Sequence, residues 1–122
     1  MTPFGKRVRE LRAAKNIRLK QMAEDLHVSS AYLSALEHGN RGCPGPGFVM
    51  QIAMYFELIW DEVDELKELA ELSHPRVPVD TSGLDPKATL LANLMAKHIR
   101  ELDDVTITRI LAQMGFDEAE TP

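Results

Sequence analysis

The stretch from residue 18 to residue 41, RLKQMAEDLHVSSAYLSALEHGNR, constrains the fold of this chain more than any other. It contains two short apolar runs at the three- and four-residue spacing of a helix, and a polar break separates them. The first run consists of Met22, Ala23 and Leu26, and the second consists of Leu33 and Leu36. The spacing predicts two short helices that pack against each other around a tight turn.

Capping residues mark the boundaries of these two helices. Ser29 or Ser30 can start the second helix, because a serine hydroxyl accepts a hydrogen bond from an orphan backbone N–H. Gly39 can end it, since glycine readily adopts the left-handed conformation of a C-cap. The small side chain of Ala23 allows the two helices to cross closely. This spacing is typical of a helix-turn-helix, whose second helix enters the major groove of DNA.

A wider set of motifs surrounds this stretch. The segment FGKRVRELRAAKNI precedes it as a first helix, QMAEDLHVSSAYLSALEHG is the motif itself, and NRGCPGPGFVMQIAMYFEL supplies a loop and a fourth helix. An arginine and then a proline follow the motif, and Ala53 lies nine residues after Pro44. Together these motifs are more specific than a single short match. Through them, residues 4–58 resemble the XRE family, typified by lambda repressor and Cro, which implies DNA binding and control of transcription.

Helical periodicity along the rest of the chain predicts an all-α fold. The predicted helices cover about residues 3–15, 19–26, 30–38, 47–56 and 59–72, and two more follow at about 86–102 and from Asp103 or Asp104 to Gly115. The stretch 73–86 holds three of the seven prolines and no helical period, which indicates an extended linker. We predict a five-helix lambda-repressor-like DNA-binding domain over residues 1–72. Residues 73–122 are predicted to form the linker and C-terminal helices that hold a dimer.

The helix predicted at 59–72 is strongly amphipathic. Its apolar face consists of Trp60, Val63, Leu66, Leu69 and Ala70, and its other face carries Asp61, Glu62, Asp64, Glu65, Glu68 and Glu71. The spacing predicts that Trp60 and Leu66 contribute to the core. The carboxylates are interpreted as a solvated face of this helix rather than as a catalytic cluster.

Two apolar stripes follow the linker. They consist of Leu91, Leu94, Met95, Ile99 and Leu102, and of Ile107, Ile110, Leu111 and Met114. Burial of apolar surface at about 25 cal/mol per Å2 favours covering both stripes. Because one helix-turn-helix makes few contacts, and because the family usually binds as dimers, we expect a homodimer held by these helices. The alternative is that they fold back onto the acidic helix of the same chain.

Charge is divided unevenly along the chain. Residues 1–47 hold eight lysines and arginines and four acidic residues, a formal charge of +4, whereas the remainder carries −9 and the whole chain −5. The basic N-terminal part can face phosphate while the acidic remainder of the chain stays away from it. The acidic half also supports an alternative function, a protein-interaction module such as an antitoxin or anti-activator that binds a partner protein.

The resemblance to the XRE family implies the residues that would meet double-stranded DNA. The positions that face bases are Ser30, Ala31 and Ala35, and those that face the backbone are Arg18, Tyr32, Ser34, His38 and Arg41. Bidentate reading of guanine or adenine needs longer polar side chains, so any preference comes from thymine methyl groups, from serine, or from DNA shape. The alternatives are that the alanines simply favour a helix and that Tyr32 anchors the core. Glu37 is expected to pair with an arginine of the first helix.

The sequence favours neither an enzyme nor a cofactor or metal site. No Ser/His/Asp or Cys/His arrangement stands out, the four histidines lack metal-ligand spacing, and GCPGPG has prolines where a phosphate loop needs N–H donors. Cys43 is the single cysteine and shows no partner in the sequence, so its thiol is predicted to be dispensable. Without a secretory signal or an apolar run of membrane length, the expected location is the cytoplasm.

Overall fold

The computed structural model describes residues 1–40 and 42–116 of the 122-residue chain, and every regular element in them is helical. The helices are α1 (Pro3–Ala14), α2 (Leu19–Asp25), α3 (Ser30–His38), α4 (Pro46–Tyr55), α5 (Trp60–Glu71), α6 (Pro86–His98), a short 3-10 turn (Ile99–Glu101) and α7 (Asp104–Gln113). The chain divides into two compact units, Met1–Val77 and Pro78–Pro122. The predicted all-α fold is confirmed.

Side-chain caps mark the start of two helices of the first unit, and a glycine marks the end of one of them. Thr2 Oγ1 accepts a hydrogen bond from the backbone N–H of Gly5 at 3.0 Å, which starts α1. Ser29 caps α3 in the same way by accepting from the N–H of Tyr32 at 3.0 Å. Gly39 ends α3 in the left-handed conformation, with a φ of 80°. Of the two serines predicted as caps, the structure therefore selects Ser29, and the C-cap at Gly39 is confirmed.

The core of the first unit draws side chains from all five of its helices. Its buried members are Phe4, Val8, Met22, Ala23, Leu33, Val49, Ile52, Ala53, Phe56, Leu66 and Ala70. Each large aliphatic or aromatic member is worth about 1.5–3 kcal/mol when it is fully buried. Ala23 lies in this core at the packing of α2 against α3, where its small side chain lets the helices approach. The core thus fixes α3 between α1 and α2.

Trp60 departs from the prediction that it contributes to this core. Its side chain is 86% exposed, whereas Leu66 on the same helix is fully buried. Trp60 is the first residue of α5. Because the Cα–Cβ bonds of a helix tilt toward its N-terminus, a side chain at the first position projects beyond the start of the helix. The spacing placed Trp60 on the correct helix, but its burial was predicted wrongly.

The second unit contains α6, the 3-10 turn and α7. Asp85 caps α6 by accepting from the N–H of Lys87 at 2.8 Å, and Asp103 caps α7 by accepting from the N–H of Thr106 at 2.8 Å. No residue of α6 or α7 is buried. The exposed large apolar side chains include Leu90, Leu91, Leu94, Ile99, Val105 and Met114. Within their own unit these helices therefore leave extensive apolar surface uncovered.

Candidate nucleic-acid interface

Helix α3 presents a small-residue face to solvent. Its opposite face is anchored in the first unit by the buried side chains of Leu33 and Leu36. Ser30 and Ala31 are exposed, and Ala35 is half-buried. The three predicted base-facing residues thus lie on α3, the first two of them fully accessible. The second helix of a helix-turn-helix uses such a face to enter the major groove.

A buried ion pair joins α3 to α1. Nη2 of Arg12 lies 3.1 Å from Oε1 and 3.0 Å from Oε2 of Glu37. Glu37 is 1% exposed and Arg12 is 9% exposed, so both charges are largely removed from water. Arg9 adds a longer contact, with its Nε 3.9 Å from Oε1 of Glu37. The predicted pairing of Glu37 with an arginine of the first helix is confirmed, and it fixes α3 relative to α1.

The backbones of α1 and α3 also meet directly. The N–H of Thr2 donates to the carbonyl oxygen of Glu37 at 3.1 Å. A Cβ at Gly5 would lie 2.0 Å from that same oxygen, so only glycine permits this approach. Neither contact was predicted from the sequence, although a glycine inside the first turn of a predicted helix is a signal of close backbone approach. The contacts hold the C-terminal end of α3 in place.

Arg18 and its neighbours form a polar surface at the start of α2. Arg18 occupies the N-cap position of α2 and supplies no side-chain cap. Arg18 and Lys20 are both exposed and line a shallow depression together with Asn16, Ile17, Gln21 and Glu24. Both cations are free to approach a phosphate backbone from this end of α2.

Tyr32, Ser34 and His38 are the three predicted backbone contacts that lie on α3 itself. The ring of Tyr32 is half-buried and packs edge-to-face against Phe48, with ring centroids 6.0 Å apart. The Nδ1–H group of His38 donates a hydrogen bond to the carbonyl oxygen of Ser34 at 2.9 Å. Neutral His38 then has only an acceptor at Nε2. A phosphate contact by His38 therefore requires the protonated imidazole. Arg41, the remaining predicted backbone contact, lies outside the described residues.

A hydrogen bond between side chains links α2 to α4. The hydroxyl of Tyr55 donates to Oδ2 of Asp25 at 2.6 Å, and Nε2 of Gln21 donates to Oδ1 of the same carboxylate at 2.9 Å. Burial and the bond to Asp25 raise the pKa of Tyr55 to about 12. The hydrogen bonds from Tyr55 and Gln21 lower the pKa of Asp25. This link was missed from the sequence, because nothing local relates Asp25 to Tyr55.

The loop after α3 brings Cys43 to His74. The sulfur of Cys43 lies 3.2 Å from Nε2 and 3.5 Å from Nδ1 of His74, across 31 residues of sequence. The expectation that Cys43 has no partner is therefore wrong.

Within residues 1–40 and 42–116, no three His, Cys, Asp or Glu side chains are grouped as a metal site requires. None of the described helices has both the length and the apolar character needed to cross a membrane.

Comparison with known proteins supports the helix-turn-helix assignment. Residues 5–62, which span α1 to the start of α5, match the family model described as a helix-turn-helix domain. This match, together with the helices α1 to α4, supports the resemblance of this part of the chain to the helix-turn-helix domains of XRE-type transcriptional regulators. No solved structure gives a significant match to the chain.

Two curated proteins of Bacillus subtilis strain 168 resemble the chain. It is 35% identical over 63 residues to the uncharacterized HTH-type transcriptional regulator RghRB, covering 52% of this chain and 45% of that protein. It is 27% identical over 103 residues to the HTH-type transcriptional repressor RghR, covering 84% of this chain and 73% of that protein. The chain thus spans less than half the length of one relative and about three quarters of the other, and its similarity to RghR extends beyond the helix-turn-helix domain.

Proposed function

We propose that the protein is a cytoplasmic, sequence-specific transcriptional regulator that binds a pseudo-palindromic operator as a homodimer. The observation that carries this proposal is the exposed face of α3, which the buried pair of Arg12 and Glu37 holds within the basic stretch of residues 1–47. A dimer would place its two α3 helices in successive major grooves, about one helical turn apart. Because a relative that aligns with most of the chain is named a repressor, we propose that occupancy of the operator blocks transcription.

The proposed contacts divide into base-facing and backbone-facing groups. Ser30 would bond base edges, while Ala31 and Ala35 would touch thymine methyl groups. The backbone contacts would come from Arg18, Tyr32, Ser34, His38 and Arg41. Phosphate contacts set affinity and register without carrying sequence information. Preference among operators would therefore depend partly on DNA shape.

The C-terminal half, residues 73–122, is proposed to act as linker and dimerisation segment. Within the second unit, Leu91, Leu94, Ile99 and Met114 are exposed and the other members of the two apolar stripes are half-buried. Their described segment, residues 86–116, carries four basic and three acidic residues, a formal charge of +1. A nearly neutral, apolar surface can meet its own copy without electrostatic repulsion. This combination supports self-association through α6 and α7.

DNA binding is tested most directly by its dependence on salt. Affinity for duplex DNA should fall steeply between about 50 and 200 mM salt, because several phosphate contacts release counterions. A fluorescently labelled duplex from the source genome provides the assay by anisotropy. A salt-independent affinity would contradict the proposal.

Two substitutions test the placement of α3. Arg41→Ala should weaken binding to all sequences about equally, whereas Ala35→Arg should change the preferred sequence, since it places a fork of donors in the groove. Selection of bound fragments from a random duplex library measures both effects. If Arg41→Ala changed the preference and Ala35→Arg did not, α3 would not be the reading helix.

A further inference from the structure

Three large apolar side chains are exposed at the corner between α4 and α5. Met54 is 73% exposed, Ile59 is 66% exposed and Trp60 is 86% exposed. We call these three residues the α4–α5 patch. Single exposed apolar residues are common on protein surfaces, but a group that includes a tryptophan is typical of an interaction site.

The backbone holds this patch in a fixed conformation. The N–H of Leu58 donates to the carbonyl oxygen of Ala53 at 2.9 Å, and Glu57 adopts a φ of 55°, which turns the chain sharply between the helices. Glu62 bonds back to the N–H of Ile59 through Oε1 at 3.4 Å. The exposure of Trp60 thus comes from a hydrogen-bonded corner rather than from a loose loop. A backbone that is already fixed loses little conformational entropy on binding.

Exposed carboxylates follow the patch along α5. Residues 57–71 contain seven acidic residues and a single cation, Lys67, for a formal charge of −6. Glu57 lies 3.7 Å from Lys15 and Glu65 lies 3.9 Å from Arg7, so α1 partly neutralises these two. Others on the exposed surface of α5 make no ion pair among the described residues, namely Asp61, Asp64, Glu68 and Glu71. The border of the patch is therefore strongly acidic.

This charge discriminates among the molecules that could cover the patch. A second copy of the chain in a symmetric contact would place the same carboxylates opposite each other, and like charges across an interface oppose association. DNA would be repelled in the same way. A basic surface with an apolar cavity for the indole ring satisfies both features of the patch.

We propose that the α4–α5 patch is a docking surface for a separate protein that presents a basic amphipathic helix. Trp60 inserts into the apolar side of that helix, and Asp61, Asp64 and Glu68 meet its lysines or arginines. Buried tryptophans dominate the binding energy of many interfaces, while acidic rims steer a basic partner and set its salt dependence. The surface is distinct from the face of α3 that is proposed to bind DNA, so this docking does not depend on DNA binding.

The emission of Trp60 provides a direct assay, since it is the only tryptophan in the chain. The probe is a synthetic amphipathic helical peptide of leucine and lysine, and its counterpart carries glutamate in place of lysine. The lysine peptide should shift the emission to shorter wavelength and saturate, with affinity that falls as salt rises. The glutamate peptide should leave the emission unchanged. Equal binding of both peptides would overturn the proposal.

Labelled lysine peptide and fluorescence anisotropy extend the assay to variants of the patch. Trp60→Ala should weaken binding about tenfold or more, as truncation of an anchor residue does. The matched control is Val77→Ala, because Val77 is also apolar and 68% exposed but lies outside the patch. A Trp60→Ala variant that binds as well as the Val77→Ala control would show that the peptide binds only through nonspecific attraction to the acidic chain.

Charge reversal tests the acidic border separately. The double substitution Asp64→Lys with Glu68→Lys should abolish peptide binding, whereas Glu24→Lys on α2 should weaken it by less than about threefold. A blue shift of Trp60 that grows with protein concentration alone would assign the patch to a second copy and overturn the proposal. Trp60→Ala should bind duplex DNA like the wild type, so failure of the docking proposal and failure of the DNA-binding proposal give different results.

Discussion

The buried pair of Arg12 and Glu37 yields the sharpest test of how the first unit is held together. Glu37→Ala would leave Arg12, which is only 9% exposed in the wild type, without its carboxylate, and its Nε already lacks a hydrogen-bond partner. Removal of one member of a buried pair typically costs about 3–5 kcal/mol, because the remaining charge stays desolvated. Total stabilities of small domains are about 5–15 kcal/mol, so the loss should be large.

The companion variant replaces both members by methionine. In Arg12→Met with Glu37→Met no charge stays buried, and apolar side chains of similar size fill the space. Such replacements are often neutral or stabilising, so the double variant should recover most of the stability that Glu37→Ala loses. The single variant Glu37→Met fills the same space but leaves the Arg12 charge unpaired, so the stability that the double variant gains over it measures the desolvated charge apart from packing.

Urea denaturation followed by circular dichroism measures these effects, with Glu24→Ala as the control. Glu24 is an exposed carboxylate on α2, and its removal should change the free energy of unfolding by less than about 0.5 kcal/mol. The reasoning is refuted if Glu37→Ala costs no more than Glu24→Ala, or if the double methionine variant is less stable than Glu37→Ala. A double variant that folds but binds DNA poorly would show that the pair also sets the orientation of α3.

Three further predictions concern separate parts of the chain. Folding raises the pKa of Tyr55 to about 12, so this residue stabilises the fold below pH 10 and loses that contribution as the pH rises through 12. Ultraviolet titration and urea unfolding should show this loss of stability in the wild type but not in Tyr55→Phe. Cys43→Ser should bind DNA like the wild type with or without peroxide, and wild-type binding that peroxide alone abolishes would instead establish a redox switch beside His74. Truncation after Ser73 should give a folded, largely monomeric fragment that binds DNA weakly; a fragment that sediments as a dimer would place the interface in the first five helices.

Local features of this chain could be predicted from the sequence, and the helix boundaries show why. The caps at Ser29 and Gly39 depend on a hydroxyl or a flexible backbone a few residues from the groups they satisfy. The periodicity of α5 was equally local and gave its extent correctly. The burial of Trp60 is not a local feature, because it depends on whether the core extends past the first turn of the helix.

The features that could not be predicted from the sequence are contacts between residues far apart along the chain. The bond between Asp25 and Tyr55 and the contact between Cys43 and His74 join residues about thirty positions apart. Their residue types suit many surface roles, so neither pair carries a pattern that reading along the chain can detect. The pairing of Glu37 with an arginine of the first helix was predicted only because a family resemblance suggested a structural role for Glu37, and the structure identifies that arginine as Arg12. Tertiary geometry was needed to place the others.

The small face of α3 gives the proposed dimer a specific role in choosing an operator. A good bidentate contact is worth about 1–3 kcal/mol of discrimination against a wrong base, and Ser30, Ala31 and Ala35 cannot supply one. Each half-site therefore discriminates weakly by itself. When a dimer binds two half-sites, the free energies of discrimination at the two half-sites add. Binding of one subunit also raises the effective concentration of the other subunit at its half-site. Selectivity would then depend on the spacing of the two α3 helices, which makes α6 and α7 determinants of specificity as well as of affinity.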